Sequence, residues 1–312
     1  MNRSRHLHSN DGMLQLGRLD GRLQNSASAD IFIARSRLEG AAALATLAGV
    51  PVLTADFHHW IAGRTPPPRA SEGLNDPISV AAIFHVALSR DDEAKDQLSR
   101  STLNTLRTIL DDRGDAAMYA SNDLVHFGPL WRQVRTVATA PFADGTLRSI
   151  AERVFELAEM TEQSRTLGSD LATIDGRAWQ LSAPQRDRMW LIATAMPLML
   201  HRAGFTGRIV PSLVLLDKFL PPSPSALCDL LAERLGQAAR AGLRDLIAIE
   251  RTMDRLAQQQ FTKRSKAPLL ARLLVAYPGL QAGAVAKLLG VTPQGARKLL
   301  AAVATPSNPM LV

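Results

Sequence analysis

Behind the dipeptide Ser223-Pro224 lies a stretch, Ser225 to about Gln260, whose leucines recur at helical spacing. A serine can cap a helix, and a proline is welcome in the first turn, where its missing N–H would have had no partner. The segment predicts one helix of roughly 35 residues, which either braces a helical body or pairs with a second copy of itself. Gly236 and Gly242 weaken it, by about 1 kcal/mol each relative to alanine.

The remainder supports the same class. Alanine and leucine dominate, aromatics make up 5% of the chain, and runs of Val, Ile, Tyr and Thr are scarce. A mainly α fold follows. At 312 residues the chain exceeds what one core usually organises, so a larger body with an appendage is expected. Residues 1–30 read as a polar, flexible terminus, with a small hairpin at Asp20-Gly21. A helical body of unknown function fills 31–222, with a proline-rich linker near 64–77. The long helix occupies 223–260, and a last module 261–312. Within the body, helices are expected over Asp30–Ala48, Pro77–Ala87, Asp91–Asp112, Asp115–Tyr119, Gly128–Thr136, Thr146–Gln163 and Pro184–Ala203. The longest apolar run, Met189–Leu200, falls short of the 18 to 20 residues a membrane span needs and reads as a buried helix bent at Pro197. With one cysteine, Cys228, and no secretory signal pattern, a cytoplasmic location is expected.

Charge is polarised along the chain. The net +7 resides wholly in Phe261–Val312, which holds Lys263, Arg264, Lys266, Arg272, Lys287, Arg297 and Lys298 and no acid, while the first 260 residues balance. A cationic appendage on a neutral body suits a polyanion partner.

The same segment reads as three short helices. Ser265 and Pro268 open the first, which Tyr277-Pro278-Gly279 ends. The second runs from Gln281 to Leu289 and stops at Gly290; Thr292-Pro293 begins the third, which ends at Val303. Only two or three residues separate the last two, as a helix-turn-helix requires. Val285, Leu289, Val291, Ala296, Leu299 and Leu300 fall on the inner faces. Thr292, Gln294, Gly295, Arg297 and Lys298 are left outward on the N-terminal half of the third helix, the position of a recognition helix. Gln294 and Arg297 suit the edges of adenine and guanine, whereas Lys298 and Thr292 suit phosphates. Lys263, Arg264 and Lys266 would reach the backbone of the duplex.

Thr252-Met-Asp-Arg-Leu256, Arg264-Ser-Lys-Ala-Pro-Leu-Leu270 and Val291-Thr-Pro-Gln-Gly-Ala-Arg-Lys-Leu-Leu300 resemble the C-terminal region of an alphaproteobacterial family of helix-turn-helix proteins that carry a helical domain of unknown function ahead of the DNA-binding module. The resemblance covers about Ala239–Val303. It implies double-stranded DNA as partner, and it implies no reaction. The family's module continues into an arginine- and aromatic-containing wing; this chain departs from that pattern with Ala304-Thr-Pro-Ser-Asn-Pro-Met-Leu-Val312, so any wing is reduced.

Other motifs point to structure rather than chemistry. Ala140-Pro-Phe-Ala-Asp-Gly-Thr-Leu-Arg148 resembles the signature of Fic-type nucleotide transferases, but Ala140 stands where the base histidine belongs and the Asn-Gly of the phosphate loop is missing. A turn capping the helix after Thr146 is expected instead. His58-His59, read as extended, would point to opposite faces and hold no metal. His85 sits in an apolar run and reads as a core histidine, Asp91-Asp92-Glu93 as a helix start, and Cys228 as a small hydrophobe.

The expectation is a DNA-binding transcriptional regulator, not an enzyme, with no cofactor and no metal, able to pair through 225–260. The alternatives are a helical enzyme or toxin-like body that uses the module for autoregulation or targeting, and a replication or partition protein of a mobile element.

Overall fold

The computed structural model describes residues 2–66, 77–91, 96–111, 128–163, 171–174, 177–180, 188–258 and 265–303. These form twelve α-helices and one two-stranded hairpin, a mainly α architecture. No helix among them is long and apolar enough to cross a membrane.

The long helix, α9 (Pro224–Ala257), is the spine. The Ser223 hydroxyl accepts the Ala226 N–H at 3.2 Å, which satisfies one of the amides that the helix start leaves open. Leu227, Leu231, Leu235, Ala239, Leu246, Ile249 and Leu256 mark its buried stripe. Along that stripe lie α1 (Asn2–Asn25) and α7 (Leu147–Gln163).

Helix α1 replaces the flexible terminus and hairpin expected at residues 1–30. Leu16, Leu19 and Leu23 share one helical face and are at most 2% exposed. Burying that face against α9 outweighs the local turn preference of Asp20-Gly21. The two helices approach closely enough that a methyl on Gly236 would lie 2.8 Å from the Gly12 Cα. At Gly242 it would lie 3.0 Å from a Leu19 methyl and 3.2 Å from the Phe32 ring. Both glycines, costly for propensity, are therefore what lets α1 and α2 (Ala29–Leu47) reach the spine. Arg22 and Ser26 both donate to Glu250 and tie the end of α1 to α9.

Helix α2 runs through the middle, against α9 and α8 (Met189–Arg202), α3 (Thr54–Ile61), α4 (Pro77–Asp91) and α5 (Gln97–Asp111). Every residue of α8 from Trp190 to Leu200 is buried, Pro197 included, which accounts for its unbroken apolar run. Helix α6 (Gly128–Thr139) packs on α7 and α8.

Two further expectations are corrected. His58 and His59 lie on helix α3, not on an extended segment; Phe57, Trp60 and Ile61 bury one face of that helix. Asp91 ends α4 rather than starting the next helix, and Asp96 takes over as the cap of α5, its carboxylate accepting the Ser99 N–H at 2.7 Å. Strands β1 (Leu171–Ile174) and β2 (Arg177–Gln180) pair antiparallel with Ile174 opposite Arg177. The expected helix at 115–119, and residues 67–76 of the linker, lie outside the described residues.

The last three helices are α10 (Ala267–Ala276), α11 (Ala282–Leu289) and α12 (Pro293–Val303). One hydrophobic core runs without a break from Leu16 through these helices to Val303.

Candidate nucleic-acid interface

The unit α10–α12 owes its shape to a few local devices. Gly279, at φ +77°, turns the chain out of α10, and Gly290, at φ +58°, ends α11. Both lie in the left-handed region that only glycine enters without strain. Past Gly290 the Val291 N–H bonds back to the Ala286 carbonyl at 3.0 Å, closing the helix end. Thr292 then caps α12: its hydroxyl accepts the Gly295 N–H at 3.1 Å, with Pro293 as the first helical residue. Ala284, Val285, Leu288, Leu289, Ala296 and Val303 bury the inner faces.

That packing fixes which side chains stay outside. Thr292, Gln294, Arg297 and Lys298 are exposed, and Gly295 is half-buried beside the cap. Gln294, Arg297 and Lys298 stand three and four residues apart, hence on one face of α12. Lys287, on α11, is exposed as well. Among the described residues, none of the three cations Lys287, Arg297 and Lys298 has a hydrogen-bonding or ionic partner.

The other cations have structural work. The Lys266 ammonium donates to the Leu289 carbonyl at 2.5 Å, so it caps the C-terminus of α11 as a positive charge should. Arg272 pairs with Asp30 and donates to the Ala27 carbonyl, clamping α10 onto α2. Lys263 and Arg264 lie outside the described residues.

The unit is held against the body through polar as well as apolar contacts. Arg35 bonds both the Val275 carbonyl, at 2.6 Å, and Asp245, at 2.6 Å, and so joins α2, α9 and α10. The Gln281 N–H reaches the Ala62 carbonyl at 2.8 Å, and Arg64 reaches that of Gly279 at 3.1 Å. At the centre of this seam Tyr277 is fully buried; its hydroxyl lies 3.0 Å from that of Thr102, and the His58 ring stacks on it at 6.5 Å. Burial pushes the Tyr277 phenol up to about 12. Burial, helped by the nearby His59, Arg64 and Arg35, pushes the His58 imidazole down to about 4.

Two further buried ionisable groups, His85 and Arg37, are packed into the body. His85 is buried with the edge of Phe57 against it, and burial together with Arg37 drives it down to about 3. Arg37 donates to Ser99, which donates to Asp96, a buried chain between α2 and the start of α5. Sequence reasoning missed this chain; the signal available was two arginines, Arg35 and Arg37, inside an otherwise apolar helix. Among the described residues no three His, Cys, Asp or Glu side chains are placed to hold a metal ion. In the transferase-like segment Thr146 caps α7 by accepting the Ser149 N–H at 3.2 Å, as the sequence led one to expect. Arg153 there donates to the carbonyls of Ala140 and Pro141 and covers the Phe142 ring, occupying the loop from within. Cys228 is half-buried, and burial beside Asp229 raises its thiol, the opposite of what a nucleophile needs.

Compared with models of protein families, with curated proteins and with solved structures, the chain matches none.

Proposed function

We propose that this chain is a DNA-binding protein, a transcriptional regulator that reads double-stranded DNA through α11 and α12 as a helix-turn-helix. The observation that carries the reading is the exposed face of α12. Gln294, Arg297 and Lys298 stand on it free of partners, behind a glycine turn and a threonine cap that aim the helix outward. A recognition helix needs this combination of a buried inner face and an uncommitted polar outer face at its N-terminal half. Arg297 reads guanine through paired hydrogen bonds and Gln294 reads adenine, while Lys298, Lys287 and the exposed rim of Thr292 meet phosphates. Gly295 leaves room for close approach of the DNA backbone. Lys266 keeps two donors beyond its bond to Leu289, so it can still touch a phosphate. Lys263 and Arg264 belong to the same basic approach.

The resemblance of Ala239–Val303 to the alphaproteobacterial helix-turn-helix family supports this reading, and a cytoplasmic location accompanies it. A symmetric pair of chains would present two α12 helices about 34 Å apart, one turn of the duplex.

The test is a pull-down of genomic fragments with the wild type and with Arg297→Ala/Lys298→Ala, at two salt concentrations. Enrichment of a discrete fragment that the double variant loses supports a sequence reader. Binding without preference would reduce the role to an architectural one, and no binding would overturn the proposal.

A further inference from the structure

We infer that the outward face of the C-terminal half of α9 is a second phosphate-binding surface, in which Arg244, Arg251 and Arg255 grip the backbone of the same duplex that α12 reads. The inference rests on the DNA-binding proposal and extends its footprint to a helix outside the helix-turn-helix.

All three arginines are exposed, and among the described residues none has a hydrogen-bonding or ionic partner. At 3.6 residues per turn they fall within about 40° of one another and span about 16 Å of helix, roughly five base-pair rises. The acids that could neutralise them are engaged on the inner side of the helix. Asp245 holds Arg35, and Glu250 holds Arg22 and Ser26. Asp254 is exposed but lies off the stripe by about 60° or more. Arg240, at the head of the stripe, is half-buried and engaged within the fold. Between the arginines the exposed residues are Ala248 and, beside them, Ala241, which leave the guanidinium groups unobstructed. The face has no apolar centre of the kind a protein partner would bury.

Its place in the chain points the same way. Helix α9 ends at Ala257 and α10 begins at Ala267. The ten residue steps from one to the other can span no more than about 36 Å. The start of α10 lies against the turn before α12, because Lys266 bonds the Leu289 carbonyl. The end of the stripe and the start of α10 are thus separated by no more than about one turn of a duplex, roughly 34 Å.

Self-pairing fits less well. Asp229 and Glu233 share this side of α9, and in an antiparallel pair they would face arginines of a second copy. Exposed ion pairs contribute little, however, and Arg240 and Arg244 of the two copies would then meet near the middle.

The experiment compares full-length wild type, Arg244→Gln/Arg251→Gln/Arg255→Gln and the corresponding triple lysine variant. Each is titrated against an enriched fragment and a random fragment from 50 to 200 mM salt, with molecular mass measured in parallel. Loss of three phosphate contacts lowers the salt slope by about 2.7, so across that range the wild type should lose about 40-fold more affinity than the glutamine variant. The ratio between the two fragments should stay unchanged, and the lysine variant should keep the wild-type slope. An unchanged slope in the glutamine variant, with the wild type still binding, overturns this inference and leaves the role of α12 standing. A slope that falls together with a halved mass overturns it in favour of self-pairing. Failure of the wild type to bind any DNA overturns both proposals.

Discussion

Replacing Gly236 by alanine sets two physical effects against each other. In an isolated helix the change gains about 1 kcal/mol, because glycine has the poorer propensity. In the folded chain the new methyl would lie 2.8 Å from the Gly12 Cα, a backbone atom that cannot rotate away. Overpacking of this kind costs about 1–3 kcal/mol. The net expectation is a loss of about 1 kcal/mol. Gly21→Ala is the internal control, since α1 has open space around that position. There propensity acts alone and should stabilise by about 0.5–1 kcal/mol. Denaturant unfolding followed by far-ultraviolet circular dichroism should thus separate the two variants by roughly 2 kcal/mol, and thermal midpoints by about 3 °C. Gly12→Ala/Gly236→Ala should lose less than the sum of its single changes, because the first methyl already parts the helices. A Gly236→Ala protein as stable as Gly21→Ala would refute the packing of α1 on the spine at this point.

Gly290→Ala meets no neighbouring atom, so its whole effect is the positive φ; a loss of about 1 kcal/mol is expected, with Gly290→Asn closer to wild type, both read by denaturant midpoints. His58 and His85 fold with pKa values near 4 and 3, below the ordinary 6.5, so the unfolded chain binds more protons than the folded one as pH falls. Their contribution is complete above about pH 6.5 and declines below it; at pH 5 the loss is about 2 kcal/mol for the fully buried His85 and less for the half-buried His58, which solvent screens, and His85→Leu should narrow the difference between unfolding curves at pH 7 and pH 5 by about the His85 amount. Arg297→Ala/Lys298→Ala touches two exposed, partnerless side chains, so its unfolding free energy should stay within about 0.5 kcal/mol of wild type. Any loss of DNA binding in that variant then reports on contact rather than folding.

Elements whose start and stop are local chemistry were readable from the chain. The Ser223-Pro224 cap, the Thr146 cap, the Gly290 stop and the Thr292-Pro293 start all stand where their residue types require. So do the exposed positions of α12, since a short amphipathic helix has only one way to hide Ala296 and Val303. The hairpin signal at Asp20-Gly21 was less reliable, because that dipeptide lies inside helix α1. Whether it makes a hairpin or continues a helix depends on whether Leu16, Leu19 and Leu23 find a partner helix, and no local pattern states that. The histidines of α3 were misread for a related reason, because eight residues without strong caps take their structure from the core they cover.

The residues alone therefore determined the helical class, the caps of α7, α9 and α12, the turn at Gly290 and the concentration of uncompensated charge after Phe261. These depend on backbone conformation and composition within a few residues. Tertiary structure decided the rest. It made a helix of the N-terminus, turned two costly glycines into contact points, assigned Arg272 and Lys266 to the fold while leaving Lys287, Arg297 and Lys298 outward, and set Tyr277 in a buried seam between the body and the last three helices. Each of these depends on which distant surface a side chain meets, and only the assembled core supplies that surface.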